Sequence, residues 1–188
     1  MPYTGLDYFI AKQRFKAAYA HIRPNSRVCD LGCGLETAFL NYAADRIAFG
    51  AGIDDRAEDS AGDGSCGRWR TMRADLRAPL PFPENSFDHV VMLAVLEHLT
   101  EPEIILRNAF RILAPGGTLI LTWPSSLVDP ILNVLHAFHL ISDEMESDEH
   151  QRRIPVDALQ HMLTGIGFKK FFHRRFELGL NNLMVAEK

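Results

Sequence analysis

The sequence is short of cysteine. Cys29, Cys33 and Cys66 make an odd and sparse set, and no two have the spacing of a zinc knuckle or a redox pair. A disulfide framework is thereby excluded, and the thiols read as reduced core or loop residues. The chain also lacks a long apolar run. Nowhere do roughly 18 unbroken apolar residues occur, so no membrane-spanning helix is expected. Its first residues lack a basic stretch leading into an apolar one, so a secretory signal is not expected. Positive charge is not in excess either. The formal net charge is −4, which argues against binding by phosphate neutralisation, and no nucleic acid partner is expected. Two basic groups, Arg68, Arg70, Arg73 and Arg77, then Lys169, Lys170, Arg174 and Arg175, read as solvated strand faces. Internal repeats and low-complexity tracts are absent. What is present is an ordinary globular balance, 47% apolar and 23% charged over 188 residues. That supports one core and a single cytoplasmic domain over 1–188.

Helical and extended patterns alternate along the chain. Leu6 to His21 carries Phe9, Ile10, Phe15, Ala18 and Tyr19 among basic residues and predicts an amphipathic helix. Pro24-Asn25-Ser26 is a turn. Arg27 to Leu31 is a short apolar strand, Leu35 to Asp45 a helix, and Ile47 to Asp54 a second strand ending in two acids. Ser60 to Gly67 is a flexible loop by composition, so any crossover helix after Asp55 is short. Trp69 to Ala74 is a third strand. Phe87 to Leu93 is almost wholly apolar, as befits a strand buried on both faces of a parallel sheet. Pro102 to Leu113 is a helix stopped by Pro115-Gly116-Gly117, and Thr118 to Trp123 is a fifth strand. Asp129 to Ile141 is helical, and Ser142 to Glu149 is acidic. Pro155 to Thr164 is a helix with proline in its first turn. Phe168 to Phe176 and Asn182 to Ala186 close the chain as a hairpin. The expected fold is α/β: a Rossmann-like, doubly wound, mainly parallel seven-stranded sheet with a terminal antiparallel hairpin.

In such sheets ligands sit beyond the carboxyl ends of the strands. The first strand ends in Asp30-Leu31-Gly32-Cys33-Gly34, where glycines allow a sharp turn and a close ligand approach, and the following helix points its amide-rich start at the same place. Asp54 lies 20 residues after Gly34, where a carboxylate accepts hydrogen bonds from the two ribose hydroxyls of an adenosine ligand. Its neighbour Asp55 is either the acid that does so or a cap for the next helix. Ala74-Asp75-Leu76 ends the third strand, with Asp75 placed to accept from an adenine amino group. A dinucleotide turn requires a third glycine, and Thr37 stands there instead. Glu36 adds a charge where a pyrophosphate would lie. A cationic sulfonium ligand tolerates acids nearby, which disfavours a dehydrogenase.

These motifs resemble the class I S-adenosylmethionine-dependent methyltransferases, the group whose signature includes D-L-G-C-G and L-E-H. Leu80-Pro81-Phe82-Pro83-Glu84-Asn85-Ser86-Phe87-Asp88, Val95-Leu96-Glu97-His98-Leu99 and Leu113-Ala114-Pro115-Gly116-Gly117-Thr118-Leu119 match further stretches of it in order. The resemblance runs from about Val28 to Trp123, with a weaker echo in Gly165-Ile166-Gly167-Phe168. It implies S-adenosylmethionine as cofactor, with S-adenosylhomocysteine as product. Gly32, Cys33 and Gly34 would face the methionyl part, and Asp30 would steady the turn. Asp54, with Asp55 beside it, would hold the ribose. Ala74, Asp75 and Leu76 would meet the adenine edge, and Leu93 and Ala94 would line the cofactor. Many members carry glycine where this chain has Glu36, and a small polar residue and asparagine where it has Met92 and Leu93.

His98 follows the fourth strand and is the candidate general base; the plainer reading is that Glu97-His98 caps and packs the next helix. His136 and His139 share one helical face without a third ligand at a telling spacing, so no metal is expected. His150 and Arg152 precede the last helix in a segment that resembles the family's fold-back over the active-site mouth. Residues 1–24, with Tyr8, Lys12 and Arg14, form an expected helical lid on a 25–188 catalytic core. The expected reaction is methyl transfer to an oxygen, nitrogen or carbon nucleophile of a small molecule or an exposed terminus, by a monomer or homodimer. An aminopropyl transferase would need an acid-rich pocket that the Asp75 region lacks. The alternative from another class is a non-catalytic module that holds the cofactor or its product and regulates or scaffolds a partner.

Overall fold

A computed structural model describes residues 5–61, 68–127 and 154–188. The expected elements at Asp129–Ile141 and Ser142–Glu149, and with them His136, His139, His150 and Arg152, lie outside the described residues, as does Cys66. The strands are β1 (Ser26–Leu31), β2 (Ile47–Asp54), β3 (Ser60–Ala61), β4 (Trp69–Arg73), β5 (Phe87–Leu93), β6 (Leu113–Pro124), β7 (Lys169–Phe176) and β8 (Asn181–Glu187), and the helices are α1 (Gly5–Tyr19), α2 (Ala38–Tyr42), α3 (Pro102–Ile112) and α4 (Val156–Ile166).

The strands form one sheet in the order β3-β4-β2-β1-β5-β6-β8-β7. From β4 to β6 the pairings are parallel, and β8 runs antiparallel to both β6 and β7. The order reverses at β1, which pairs with β2 on one side and β5 on the other. A crevice therefore opens at the carboxyl ends of β1 and β5. Successive strand residues point to opposite faces, and two cores result. Val90, Met92, Leu119 and Leu121 join Ile105 and Leu106 of α3 and Leu159 and Leu163 of α4 in one. Val91 and Ile120 join Ala17 and Ala18 of α1 and Phe39 and Leu40 of α2 in the other. The doubly wound, mainly parallel sheet with its terminal antiparallel hairpin is thus the architecture of the chain.

Three local expectations differ from what is observed. The helix expected over Leu35–Asp45 covers only Ala38–Tyr42. Gly34 and Thr37 both sit in the left-handed region, at φ 66 and 46, and two such residues hold the chain out of a right-handed helix. In its described part, the stretch after Asp55 contributes a two-residue strand rather than a helix. Ser60 and Ala61 pair antiparallel with Thr71 and Arg70, fastened by Thr71 Oγ1 donating to the Glu58 carbonyl at 2.9 Å and Arg73 N donating to Asp59 Oδ1 at 2.7 Å. Among the described residues the sheet accordingly has eight strands, seven of ordinary length. Finally, β6 starts at Leu113 rather than at Thr118. The proline–glycine cluster is absorbed as an irregularity opposite β5, where Phe87 pairs with Leu113 and His89 with Thr118. The eight basic residues read as solvated strand faces are all exposed.

Candidate cofactor site

The turn after β1 is tied to β2. Gly32 N and Cys33 N both donate to the Ile53 carbonyl, at 2.7 and 3.2 Å. Gly32 has φ +83, and a β-carbon there would fall 2.4 Å from Val95 Cγ2. Only glycine suits that conformation and that contact together. Val95 is a site residue that sequence reasoning does not single out, although it opens the L-E-H run. Gly52, inside β2, is a second. A β-carbon on it would lie 2.7 Å from Cys33 Sγ, so β2 needs a glycine for the turn to seat on it. The available signal is a glycine within an apolar strand.

Asp54 ends β2 nearly buried, at 6% exposure. Its Oδ2 accepts from Gly34 N at 2.9 Å and its Oδ1 from Arg56 N at 3.0 Å. One carboxylate therefore organises both the glycine turn and the chain leaving β2. Gly34 has φ +66, and no atom lies within 4 Å of where its β-carbon would be. An open face on a glycine turn beside an anchored acid fits a ligand whose body lies against the backbone. Asp30 is 3% exposed. Burial, and after it the charge of Asp54, pushes its carboxyl up to about 7. Burial, then Asp30 and Asp54, also push the Cys33 thiol far above the usual thiol range, so it stays protonated and is not a nucleophile. Asp55 is exposed, with Arg56 Nε 3.8 Å from its Oδ1, and takes no part in the turn. Glu36 is exposed as well, and its carbonyl accepts from Asn41 Nδ2 at 3.0 Å.

The other residues named from the sequence fall on neighbouring strand ends. Ala74 N donates to the Asp54 carbonyl at 3.3 Å, which joins the end of β4 to that of β2. Leu76 is buried in the α3–α4 core. Asp75 is half exposed and clasped by Arg77, with Nε at 3.0 Å from Oδ1 and Nη2 at 2.8 Å from Oδ2. The Arg77 side chain holds its carboxyl below the ordinary value. Beyond β5, Ala94 adopts φ 58 and donates its N–H to the Thr122 carbonyl at 2.9 Å. Leu93 and Ala94 are partly open. His98 closes a single 3₁₀ turn, Leu96–His98, and its side chain is exposed. The site thus gathers a glycine turn, two acids and a small αL residue from β1, β2 and β5, with β4 alongside. Among the described residues no group of three His, Cys, Asp or Glu side chains is placed to hold a metal ion, and no helix is long and apolar enough to cross a membrane.

Comparison with known proteins gives the family and the fold. A family model described as a methyltransferase domain matches residues 6–171. The ubiquinone/menaquinone biosynthesis C-methyltransferase UbiE of Vibrio vulnificus is 32% identical over 146 residues, 69% of this chain and 54% of that protein. The chain spans about half the length of the curated relatives it matches. Among solved structures, a SAM-dependent methyltransferase from Archaeoglobus fulgidus superposes with a TM-score of 0.72 at 16% identity, covering 96% of this chain and 94% of that one. An S-adenosylmethionine-dependent methyltransferase from Mesorhizobium loti gives 0.69 at 20% identity, covering 92% and 96%. At such identities these two establish the shared fold.

Proposed function

The chain belongs to the methyltransferase-domain family, and from that premise we propose that it binds S-adenosylmethionine at the Asp30–Gly34 turn and transfers its methyl group to a small molecule. The observation that carries this reading is the buried Asp54 carboxylate bonded to Gly34 N at 2.9 Å. An acid of the kind that accepts from ribose hydroxyls, beside an open glycine face, supports the reading. The bound cofactor supplies an electrophilic methyl carbon on an already charged leaving group. Asp54 orients the ribose, with Asp55 outside this role. Ala74, Asp75 and Leu76 flank the adenine edge, with Asp75 released from Arg77 or shared with it. Gly32 and Gly34 let the methionyl part lie against backbone, and Asp30 supports the turn. Leu93 and Ala94 form the wall nearest the acceptor.

Donor and acceptor held in line in a water-poor cleft account for most of the acceleration, as a proximity effect. His98 stands past β5 as the base for an oxygen or nitrogen acceptor. The curated relatives carry the name C-methyltransferase, which puts an activated carbon acceptor first among those to test. The decisive experiment is incubation with methyl-labelled S-adenosylmethionine and pools of small phenols, amines and enols. Label in one acceptor class is the expected result. Tight S-adenosylhomocysteine binding with no labelled acceptor in any pool would replace catalysis by a regulatory binding role.

A further inference from the structure

Beyond the carboxyl end of β6 lies a cavity of about 480 Å³, walled by Pro124, Ile154 and Asp157 and by His173, Arg175 and Asn182. Pro124 ends β6, Asp157 lies in the first turn of α4, and the last three come from β7 and β8. Its position is fixed by sheet register. Arg175 pairs with Asn182, and Asn182 with Trp123. On β6 the residue before Trp123 is Thr122, whose carbonyl receives the Ala94 N–H at 2.9 Å. One row therefore crosses β7, β8 and β6 to the end of β5, where the cofactor wall begins. Three strand spacings make that span roughly 14 Å. Arg175 is exposed and lines the cavity from its solvent side, and a volume of that order suits a molecule about one ring in size.

The chemistry of the walls is unequal. Arg175 makes no ion pair among the described residues, although Asp157 lines the same cavity. Asp157 sits where the start of α4 stabilises a negative charge. Its charge is therefore met in part by the helix, and among the described residues the guanidinium is open to a ligand. His173 lies on the same strand face as Arg175, and its Nε2 is 3.1 Å from Asn182 Oδ1. That bond orients the ring, with its centroid 6.2 Å from that of Trp123. Trp123 Nε1 donates to the Ile154 carbonyl at 3.0 Å, which fixes the opposite wall. Pro124 and Ile154 supply apolar surface. A planar guanidinium recognises a carboxylate by two parallel hydrogen bonds.

We propose that this cavity anchors the methyl acceptor by a carboxylate, held by Arg175 with His173 beside it, so that the acceptor is a small, ring-sized organic acid. The assignment rests on the methyl-transfer reading for what the anchored molecule undergoes, but not for the anchoring itself. The probes are benzoate and its neutral isostere benzamide, titrated by calorimetry into protein saturated with S-adenosylhomocysteine. Trp69 and Trp123 are the two tryptophans, so Trp69→Phe leaves Trp123 as the fluorescent reporter of the cavity; the wild-type calorimetry stands if that variant does not fold.

Benzoate is expected to bind roughly ten-fold more tightly than benzamide and to change Trp123 emission. Arg175→Ala is expected to erase the preference, and Arg175→Lys to restore part of it, with S-adenosylhomocysteine affinity unchanged. Equal binding of the two probes, no binding of either, or a preference that survives Arg175→Ala would overturn the proposal. Selective benzoate binding in a protein that labels no acceptor would support the anchor and count against methyl transfer alone. Methyl transfer without any preference for acids would do the reverse.

Discussion

Gly34 N donates to Asp54 Oδ2 at 2.9 Å, across 20 residues of chain. The acid proposed for the ribose is thus also a strut of the turn proposed to receive the rest of the ligand. Two functions fall on one side chain because β1 and β2 are neighbours in the sheet, with Asp30 paired to Gly52 and Leu31 to Ile53. Their carboxyl ends are carried to the same point of the crevice. On the proposed reading, cofactor affinity and the shape of the turn are coupled at Asp54.

The two glycines of the turn separate stability from binding. Gly32→Ala places a β-carbon 2.4 Å from Val95 Cγ2 at φ +83, and the loss of stability is expected to be about 3 kcal/mol. Adding Val95→Ala removes the overlap but not the backbone strain, so about 1 kcal/mol should return. Gly34→Ala meets no atom within 4 Å and should cost about 1 kcal/mol, while S-adenosylhomocysteine affinity drops steeply. Urea unfolding paired with titration calorimetry of each variant checks both halves. Equal destabilisation by the two alanines would refute the contrast.

The buried carboxyl of Asp30 and the buried imidazole of His89 are expected to act in opposite directions on stability. Asp30 titrates near 7 when folded, against an ordinary value of 3.8. The folded chain holds the extra proton between those values, so stability falls as pH rises through them, by up to about 4 kcal/mol. His89 is 1% exposed, and burial brings it from 6.5 down to about 4. The unfolded chain holds the extra proton there, and stability rises with pH across that window by about 3 kcal/mol. The two slopes nearly cancel in the wild type between about pH 4.5 and 6.5. Denaturant midpoints at about pH 5, 6 and 7 should show stability rising with pH in Asp30→Asn and falling in His89→Gln. Parallel profiles for all three proteins would rule out both shifts.

His98 is exposed on the 3₁₀ turn after β5. For an oxygen or nitrogen acceptor, His98→Ala should lower kcat by roughly a hundred-fold without changing S-adenosylhomocysteine affinity or unfolding midpoint. For an already activated carbon acceptor the same change should cost less than about ten-fold. Single-turnover rates with saturating cofactor make the comparison, and an unchanged rate on every acceptor would remove His98 from the chemistry.

The sheet and most of its strands were legible because buried parallel strands write themselves as apolar runs. Phe87–Leu93 is one such run, and six of the seven residues of β8 are buried. The glycine turn was legible because Gly32 serves a conformation that few residues can take. The start of α2 was not, since nothing in Leu35–Thr37 announces the left-handed backbone of Thr37. Nor was β3, whose two residues owe their pairing to Asp59 and to Thr71 across the strand. Among the residues named for the site, Asp30, Gly32, Gly34 and Asp54 lie together at the ends of β1 and β2. Asp55 points away, and Asp75 is occupied by Arg77. Val95 and Gly52 are not legible in this way, because an apolar side chain and a strand glycine reveal their importance only through what they touch.

Titration calorimetry of S-adenosylhomocysteine into the wild type and Asp54→Asn, with NAD as control, tests the site most directly. The expected result is one ligand per chain for the wild type, affinity lower by roughly a hundred-fold in Asp54→Asn with its unfolding transition retained, and no heat with NAD. Binding of NAD at the same site, no binding of S-adenosylhomocysteine, or full affinity in a folded Asp54→Asn protein would contradict it.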